Sequence, residues 1–362
     1  MEKVLSNFKI NEKVISYAPY GEGHINDTYL VVCENNEKYI LQRINHNVFK
    51  DVEGLMNNIY LVTSFLKEKI IENNGDVNKE TLNIIKTKDD KSYYYDEVEN
   101  KYYRVYLFVK DSLTLQKAEN TQLFKESAIA FGKFQNLLAE FDASKLCETI
   151  ANFHNSKERY NHFINTLKQD KLNRAKNCKE EIEFVLKRKE YCDKIVDLIN
   201  EKKIPLNVTH NDTKLNNVLL DINTKKALCV IDLDTIMPGS SLYDFGDSIR
   251  FGCNMGSEDT TNLDEVTFSL EYYKAFVEGF LQEVKDSMNE CEINHLSFGA
   301  MLMTLECGIR FLDDYLDGDN YFKISRTHHN LDRCRTQFKL VSEMEKHYDE
   351  MQTIVKEVIK SL

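Results

Sequence analysis

Few residues interrupt the secondary structure of this sequence, which has only three prolines and thirteen glycines in 362 residues. Its nine cysteines are scattered, and no two of them form a Cys-x-x-Cys pair. Scattered thiols behind a charged N-terminus that lacks a secretory signal are typical of the reducing cytoplasm. No stretch reaches the ~18 uninterrupted apolar residues that a membrane span requires. We therefore expect a cytoplasmic protein with no membrane segment.

The charge balance excludes one broad class of partner. A net charge of −12 and a sequence pI near 5.4 argue against binding to a nucleic-acid backbone. A small anionic ligand needs only a few local basic groups and is not excluded. The length exceeds one ordinary core and favours two lobes. Without a sustained heptad repeat, we expect a monomer or a weak dimer.

The first third of the chain has the pattern of a β-sheet with one helix. Apolar and β-branched residues alternate around short turns, and one longer stretch has apolar residues at helical spacing. The predicted strands cover residues 14–18, 28–32, 38–44, 93–95 and 102–109, and the predicted helix covers residues 52–69.

Beyond residue 110 the helical period dominates, over residues 121–141, 179–200 and from about 262 to the end. Residues 206–234 are the exception, with two short apolar runs flanking a turn at 223–225. The pattern predicts an α+β, bilobal fold. Its small β-rich N-terminal lobe is residues 1–109, which we expect to bind nucleotide. Residues 110–362 form a large, mainly helical lobe that carries catalysis and substrate binding.

The strongest functional signal is His210-Asn211-Asp212, followed by Asn217 and the run Ile231-Asp232-Leu233-Asp234. The spacing H-x-D-x-x-x-x-N is that of a kinase catalytic loop. There, Asp212 would orient the acceptor hydroxyl and take its proton. Asn217 and Asp232, with Asp234 as a further candidate, would bind Mg²⁺ through the oxygen ligands that this cation prefers. The alternative to a catalytic centre is that His210-Asn211-Asp212 is a polar turn and that the run 231–234 is the end of an ordinary strand.

Two weaker signals lie in the β-rich lobe. Gly21 and Gly23 form a turn in which backbone N–H groups can approach phosphate, although most such turns are plain hairpins. Arg43, on the third predicted strand, stands where kinases place a cation for the nucleotide phosphates; otherwise it is an exposed strand arginine. Phe108 and Val109, at the junction of the lobes, complete the predicted ATP site.

Several other polar residues have structural interpretations. We predict that Asp244 and Asp247 brace a loop or cap a helix, and that His210 holds its loop through backbone contacts. Asp244-Phe245-Gly246 lies too far downstream to be a metal-binding D-F-G motif. The pair His328-His329 has no third ligand at metal spacing, so we expect it on the surface.

Together these motifs resemble the aminoglycoside-phosphotransferase-like superfamily, and most closely its N-acetylhexosamine 1-kinases. The resemblance covers nearly the whole chain. It is carried by G-E-G-H-I-N-D-T-Y, I-L-Q-R-I-N, H-x-D-T-K-x-x-N-x-L and I-D-L-D-T-I-M-P-G. It implies a protein-kinase-like fold and transfer of the ATP γ-phosphoryl group, with Mg²⁺, to the anomeric hydroxyl of GlcNAc or GalNAc. One departure is Asn211, where many members carry glycine.

The resemblance also implies roles for individual residues. Asp212 is similar to the catalytic base, and Lys214 to a cation that steadies the sugar or the γ-phosphate. His24, Arg310 and Tyr321 resemble residues that line the hexosamine pocket. From the residues alone, the favoured interpretation is a helix-to-loop salt bridge for Arg310 and a packed aromatic for Tyr321.

Two alternatives remain open at the level of sequence. The acceptor could be another small hydroxyl compound, such as a different hexose, choline or an aminoglycoside. The chain could also be a non-catalytic, kinase-like binding module, although Asp212, Asn217 and Asp232 are all present.

Overall fold

The computed structural model describes residues 1–21 and 25–362, which divide into two compact units. The first, here called the sheet unit, comprises residues 1–114, 140–151 and 217–238. The second, the helical unit, comprises residues 115–139, 152–216 and 239–362. These bounds differ from the two consecutive lobes of the sequence interpretation. The chain returns to the sheet unit after residue 216 because Leu113 pairs with Leu220 in a small antiparallel sheet.

The elements of the sheet unit follow the predicted order. Its strands are β1 (Val14–Pro19), β2 (Asp27–Cys33), β3 (Lys38–Ile44), β4 (Ile84–Ile85), β5 (Tyr94–Asp96), β6 (Lys101–Leu107), β7 (Ser112–Leu113), β9 (Val218–Asp221) and β10 (Ala227–Val230). Its helices are α1 (Glu2–Leu5), α2 (Val52–Glu72) and α3 (Val77–Glu80).

An antiparallel sheet in the order β1-β2-β3-β6-β4, with β5 paired to β6, organises this unit. Val31, Leu41 and Val105 lie in its apolar core, which explains why alternate positions of these strands are apolar. Helix α2 begins where Asp51 accepts a hydrogen bond from the Gly54 N–H at 2.9 Å. The register places Gln42 of β3 opposite Arg104 of β6.

Helices dominate the second unit. They are α4 (Thr121–Leu137), α5 (Ser156–Gln169), α6 (Lys179–Leu186), α7 (Lys189–Asn200), α8 (Ser241–Gly252), α9 (Leu270–Val284), α10 (Glu290–Asp317), α11 (His329–Lys346) and α12 (Tyr348–Ser361). The chain also has the short strands β8 (Asn207–Thr209) and β11 (Met237–Gly239). The stretch 179–200, predicted as one helical segment, is two helices, α6 and α7.

Helix α10 organises the helical unit, because it packs against α8, α11 and α5. A Cβ atom built on Gly246 of α8 would lie 2.5 Å from the Gly299 carbonyl oxygen of α10. The glycine of Asp244-Phe245-Gly246 therefore permits a close helix crossing. None of the helices in the described part of the chain is long and apolar enough to cross a membrane. A small antiparallel sheet with a larger helical region confirms the predicted α+β class.

Candidate active site

In the helical unit, the loop 210–214 is held by two carboxylates of helix α8. The backbone N–H groups of His210 and Asn211 donate to the Asp244 carboxylate at 2.9 and 2.8 Å. The Thr213 N–H donates to Asp247 at 3.1 Å. Charge-assisted bonds of this kind are stronger than neutral ones. Both side chains are buried, so the prediction that they brace a loop is confirmed.

Burial acts on these two carboxylates with opposite net results. Burial raises the pKa of Asp244, although the nearby His210 and the backbone donors oppose the shift. Burial would also raise the pKa of Asp247, but the charges of Arg250 and Lys214 outweigh it, so that this pKa is lowered. Asp247 also accepts a hydrogen bond from Arg250 Nε at 2.9 Å. Of the two carboxylates that hold the loop, Asp247 therefore has the stronger tendency to stay ionised.

The backbone around Asp212 has an unusual conformation. Asn211 has φ of 65°, in the left-handed region where glycine is most easily accommodated and asparagine is tolerated better than most residues. This explains how Asn211 can stand where the resemblance implies glycine. The Asp212 N–H donates to His210 Nδ1 at 3.3 Å, which confirms that His210 holds the loop through a backbone contact.

The predicted catalytic carboxylate and the predicted substrate-side cation form an ion pair. Lys214 Nζ lies 2.7 Å from Asp212 Oδ1, and both side chains are about one-third exposed. Burial lowers the pKa of Lys214, but Asp212 and Asp247 raise it more, so the net shift is upward. Lys214 is therefore an ammonium group, and it keeps a positive charge beside a carboxylate that solvent can reach.

Arg310 contacts aromatic rings. Its guanidinium carbon lies 5.3, 5.8 and 5.5 Å from the ring centres of Phe153, Tyr321 and Phe322, within the range of cation–π attraction. Tyr321 itself is 66% exposed, so it is not a packed aromatic, which is the alternative that the sequence offered to a role in substrate binding. The structure thus brings two predicted substrate residues, Arg310 and Tyr321, into one aromatic cluster.

A buried carboxylate orders the loop that carries Tyr321. Asp314, near the end of α10, accepts backbone hydrogen bonds from Asn320 and Tyr321 at 2.8 Å and from Phe322 at 2.9 Å. Its Oδ2 atom also accepts from Asn330 Nδ2 at 2.8 Å. Four donors on one buried carboxylate fix this loop against α10.

Replacing Asp314 by Ala is expected to raise amide hydrogen exchange at residues 320–322, because three N–H groups lose their acceptor. Exchange mass spectrometry would measure the change. Asp313→Ala is the matched control, because Asp313 pairs with His162 instead of the loop. Equal exchange in both variants would contradict this account of the loop.

In the sheet unit, two predicted metal ligands meet at the end of a hairpin. Strands β9 and β10 pair with Val218 opposite Val230, and the Ile231 N–H donates to the Asn217 carbonyl at 2.9 Å. Asn217 is therefore next to the strand end from which exposed Asp232 projects. An amide and a carboxylate oxygen suit Mg²⁺, which takes its remaining ligands from phosphate and water. Among the described residues, no group of three or more His, Cys, Asp or Glu side chains forms a metal site.

Asp234 is paired with protein groups of the same unit. Its two oxygens accept from Arg104 Nη1 and from Asn26 Nδ2, the latter at 2.6 Å. Arg104 is 1% exposed, and its Nε donates to Gln42 at 2.9 Å. Burial lowers the pKa of Arg104, but the charges around it, chiefly Asp234, give a net upward shift. The pair is a buried ion pair that joins strand β6 to the segment after β10.

The remaining predicted nucleotide residues have diverse environments. Arg43 forms an ion pair with Asp27, its cross-strand partner on β2, and is partly exposed. Gly21 has φ of 77°, a value that glycine adopts without strain, but the rest of the predicted turn lies outside the described residues. The Phe108 ring is 6.1 Å from that of Tyr20, in an edge-to-face contact, and Val109 is buried. Gly23 and His24 lie outside the described residues.

Sequence interpretation missed Arg104 and the buried pair of His154 and Glu306, described below. A single charge within the apolar and aromatic run 102–109 was a usable signal for Arg104, because a buried charge needs a partner.

One placement was wrong. His329 is 3% exposed, because it contacts Asp259 at 2.9 Å and the Ser325 N–H at 3.2 Å.

Residues 80–278, more than half of the chain, match the phosphotransferase enzyme family (APH). The chain belongs to this family.

Solved structures share the fold of this phosphotransferase. An aminoglycoside phosphotransferase from Alicyclobacillus acidocaldarius has a TM-score of 0.61 at 11% identity, over 100% of this chain and 97% of that one. A choline kinase from Cryptosporidium parvum has a TM-score of 0.54 at 16% identity, over 97% of this chain and 95% of that one. An amicoumacin kinase in complex with AMP-PNP and Ca²⁺ has a TM-score of 0.59 at 12% identity, over 94% of this chain and 92% of that one. The predicted kinase-like fold is confirmed. At these identities the likeness establishes the fold and leaves the acceptor open.

Proposed function

We propose that this phosphotransferase is a small-molecule kinase that transfers the γ-phosphoryl group of ATP to the anomeric hydroxyl of an N-acetylhexosamine. The observation that carries the proposal is the loop around Asp212. Its backbone is fixed by Asp244, Asp247 and His210, while the Asp212 carboxylate remains reachable. A carboxylate held in one orientation and reachable by the acceptor meets the geometric requirement for taking a proton from a bound hydroxyl.

In this proposal, the oxygen of the acceptor hydroxyl attacks the γ-phosphorus, and Asp212 accepts the hydroxyl proton. The bond from the γ-phosphorus to the β–γ bridging oxygen breaks, and ADP leaves with that oxygen. Lys214, already 2.7 Å from Asp212, orients the carboxylate and stabilises negative charge on the transferred group. Asn217 and Asp232 would hold Mg²⁺, which neutralises phosphate charge when bound. Asp232 is exposed whereas Asp234 is buried in its ion pair with Arg104, so we assign the metal to Asn217 and Asp232 first.

The acceptor assignment rests on the cluster around Arg310. A neutral sugar needs several directional donors and an apolar surface for its C–H face. Arg310 supplies donors, and exposed Tyr321 supplies both a hydroxyl and a ring. Together with Lys214, these residues are part of the set that the resemblance to N-acetylhexosamine 1-kinases implies.

The second candidate is a kinase of a cationic alcohol, because a choline kinase has the same fold. Phe153, Tyr321 and Phe322 form the kind of aromatic group that binds quaternary ammonium ions. In this chain, however, the guanidinium of Arg310 already lies among those rings. The pKa of Arg159 is lowered by burial and by the charge of Arg310, so a second cation is also close. A cationic acceptor would be repelled there, which favours the neutral sugar.

A panel of acceptors tests the proposal directly. ADP release would be followed with GlcNAc, GalNAc, glucose, galactose, choline, ethanolamine and kanamycin, each with ATP and Mg²⁺. We expect turnover with an N-acetylhexosamine and phosphorus NMR of the product to place the phosphate on C1. Turnover with choline alone would establish the second candidate. No turnover with any acceptor would favour a binding module.

A further inference from the structure

We propose that His154, held by Glu306, is a positioning residue that fixes the peptide bond immediately before the catalytic carboxylate. This inference rests on the proposed role of Asp212. The two polar groups of the Asn211–Asp212 peptide bond each contact a histidine. The Asn211 carbonyl oxygen lies 3.4 Å from His154 Nε2, and the Asp212 N–H donates to His210 Nδ1 at 3.3 Å.

Holding both ends of one peptide plane sets the direction in which the next side chain leaves the backbone. Rotation of this plane changes ψ of Asn211 and φ of Asp212 together, and so moves the Asp212 carboxylate. Asn211 is in the left-handed region, which an L-residue occupies at a cost, so the plane needs external contacts to stay in place. His154 supplies the contact on the carbonyl side.

His154 is itself firmly held. Its side chain is buried, and its Nδ1 atom lies 2.7 Å from Glu306 Oε1, on helix α10. Its ring also contacts those of Phe153 and Tyr243, with centroids 4.5 and 5.5 Å away. A buried imidazole that contacts two aromatic rings and is held at one nitrogen has little freedom, so its second nitrogen has a defined position.

The proposed contact makes a specific demand on the His154 ring. A backbone carbonyl can only accept, so the proposal requires Nε2 to carry the hydrogen that is donated to Asn211. Glu306, within hydrogen-bond distance of Nδ1, holds the ring so that Nε2 faces the loop.

The same pair lies next to the predicted acceptor residues. Glu306 is one helical turn before Arg310 on α10, and Phe153, next to His154, packs against the Arg310 guanidinium.

Two substitutions at residue 154 separate its two nitrogens. Glutamine places an amide N–H near the position of Nε2, whereas asparagine places one near Nδ1. We expect His154→Asn to lower kcat by about 10- to 100-fold, because the carboxylate is misdirected, with little change in KM for ATP. His154→Gln should restore most of kcat. His162→Asn is the matched control, because His162 is exposed and pairs with Asp313; it should leave kcat unchanged.

Two measurements on the folded protein do not depend on activity. In wild-type protein, long-range proton–nitrogen NMR should show a proton on His154 Nε2, and an unprotonated Nε2 overturns the proposal even if the substituted chains fail to fold. Amide exchange at residues 211–213 should rise in His154→Asn and stay near wild type in His154→Gln. Equal kcat and equal exchange in the two variants would refute the positioning role. If no acceptor is phosphorylated, the proposed function fails, while the NMR and exchange results still decide the role of His154.

Discussion

Replacing Asp212 by Asn is expected to lower kcat by about 10²- to 10⁴-fold, because an amide cannot take the proton of the acceptor hydroxyl. KM for ATP should change little, since Asp212 contributes to the acceptor side. Steady-state kinetics with the acceptor found in the panel, and binding of an ATP analogue, measure the two effects separately.

The same change should barely affect folding. The ion pair that Asp212 forms with Lys214 is about one-third exposed on each side, and pairs of this kind contribute only about 0–1 kcal/mol. A melting temperature near that of wild type would therefore accompany the loss of turnover. Asp197→Asn, which removes one member of the exposed Lys157–Asp197 pair, is the control for a neutralised surface carboxylate. Near-normal turnover in Asp212→Asn would contradict the proposed role of Asp212 as the base.

Replacing Arg104 by Met should destabilise the sheet unit by about 3–5 kcal/mol, because it leaves the charge of Asp234 buried without its partner. Arg104 is 1% exposed and Asp234 is 3% exposed, so water cannot replace the lost guanidinium. Urea-induced unfolding measures the loss as a lower midpoint.

Two further variants show whether the buried charge is the cause. Arg43→Met removes a partly exposed arginine from the strand next to β6, and should cost less than about 1 kcal/mol. The double variant Arg104→Met/Asp234→Asn removes both charges and should be more stable than Arg104→Met alone. If the double variant is as unstable as the single one, lost packing and not lost charge explains the effect.

The comparison of Arg43 with Arg104 shows where sequence reasoning reached its limit. Strand periodicity correctly placed Arg43 on β3, but periodicity does not reveal which strand cation is buried. That depends on Asp234, which is 130 residues away from Arg104 in the sequence. Similarly, the two histidines 328 and 329 look alike in sequence. His329 is buried because Asp259 and Ser325 happen to be within hydrogen-bond distance of its ring.

The sequence by itself determined the local and chain-adjacent features of this phosphotransferase. These are the α+β class, the strands and hairpin, and the H-x-D-x-x-x-x-N spacing, because they follow from periodicity and from residues close together in the sequence. Only the tertiary structure decided which distant charges pair. It placed Arg104 on Asp234, and His154 between Glu306 and the catalytic loop. Long-range ion pairs leave no periodic trace in a sequence, since their geometry arises only when the elements pack.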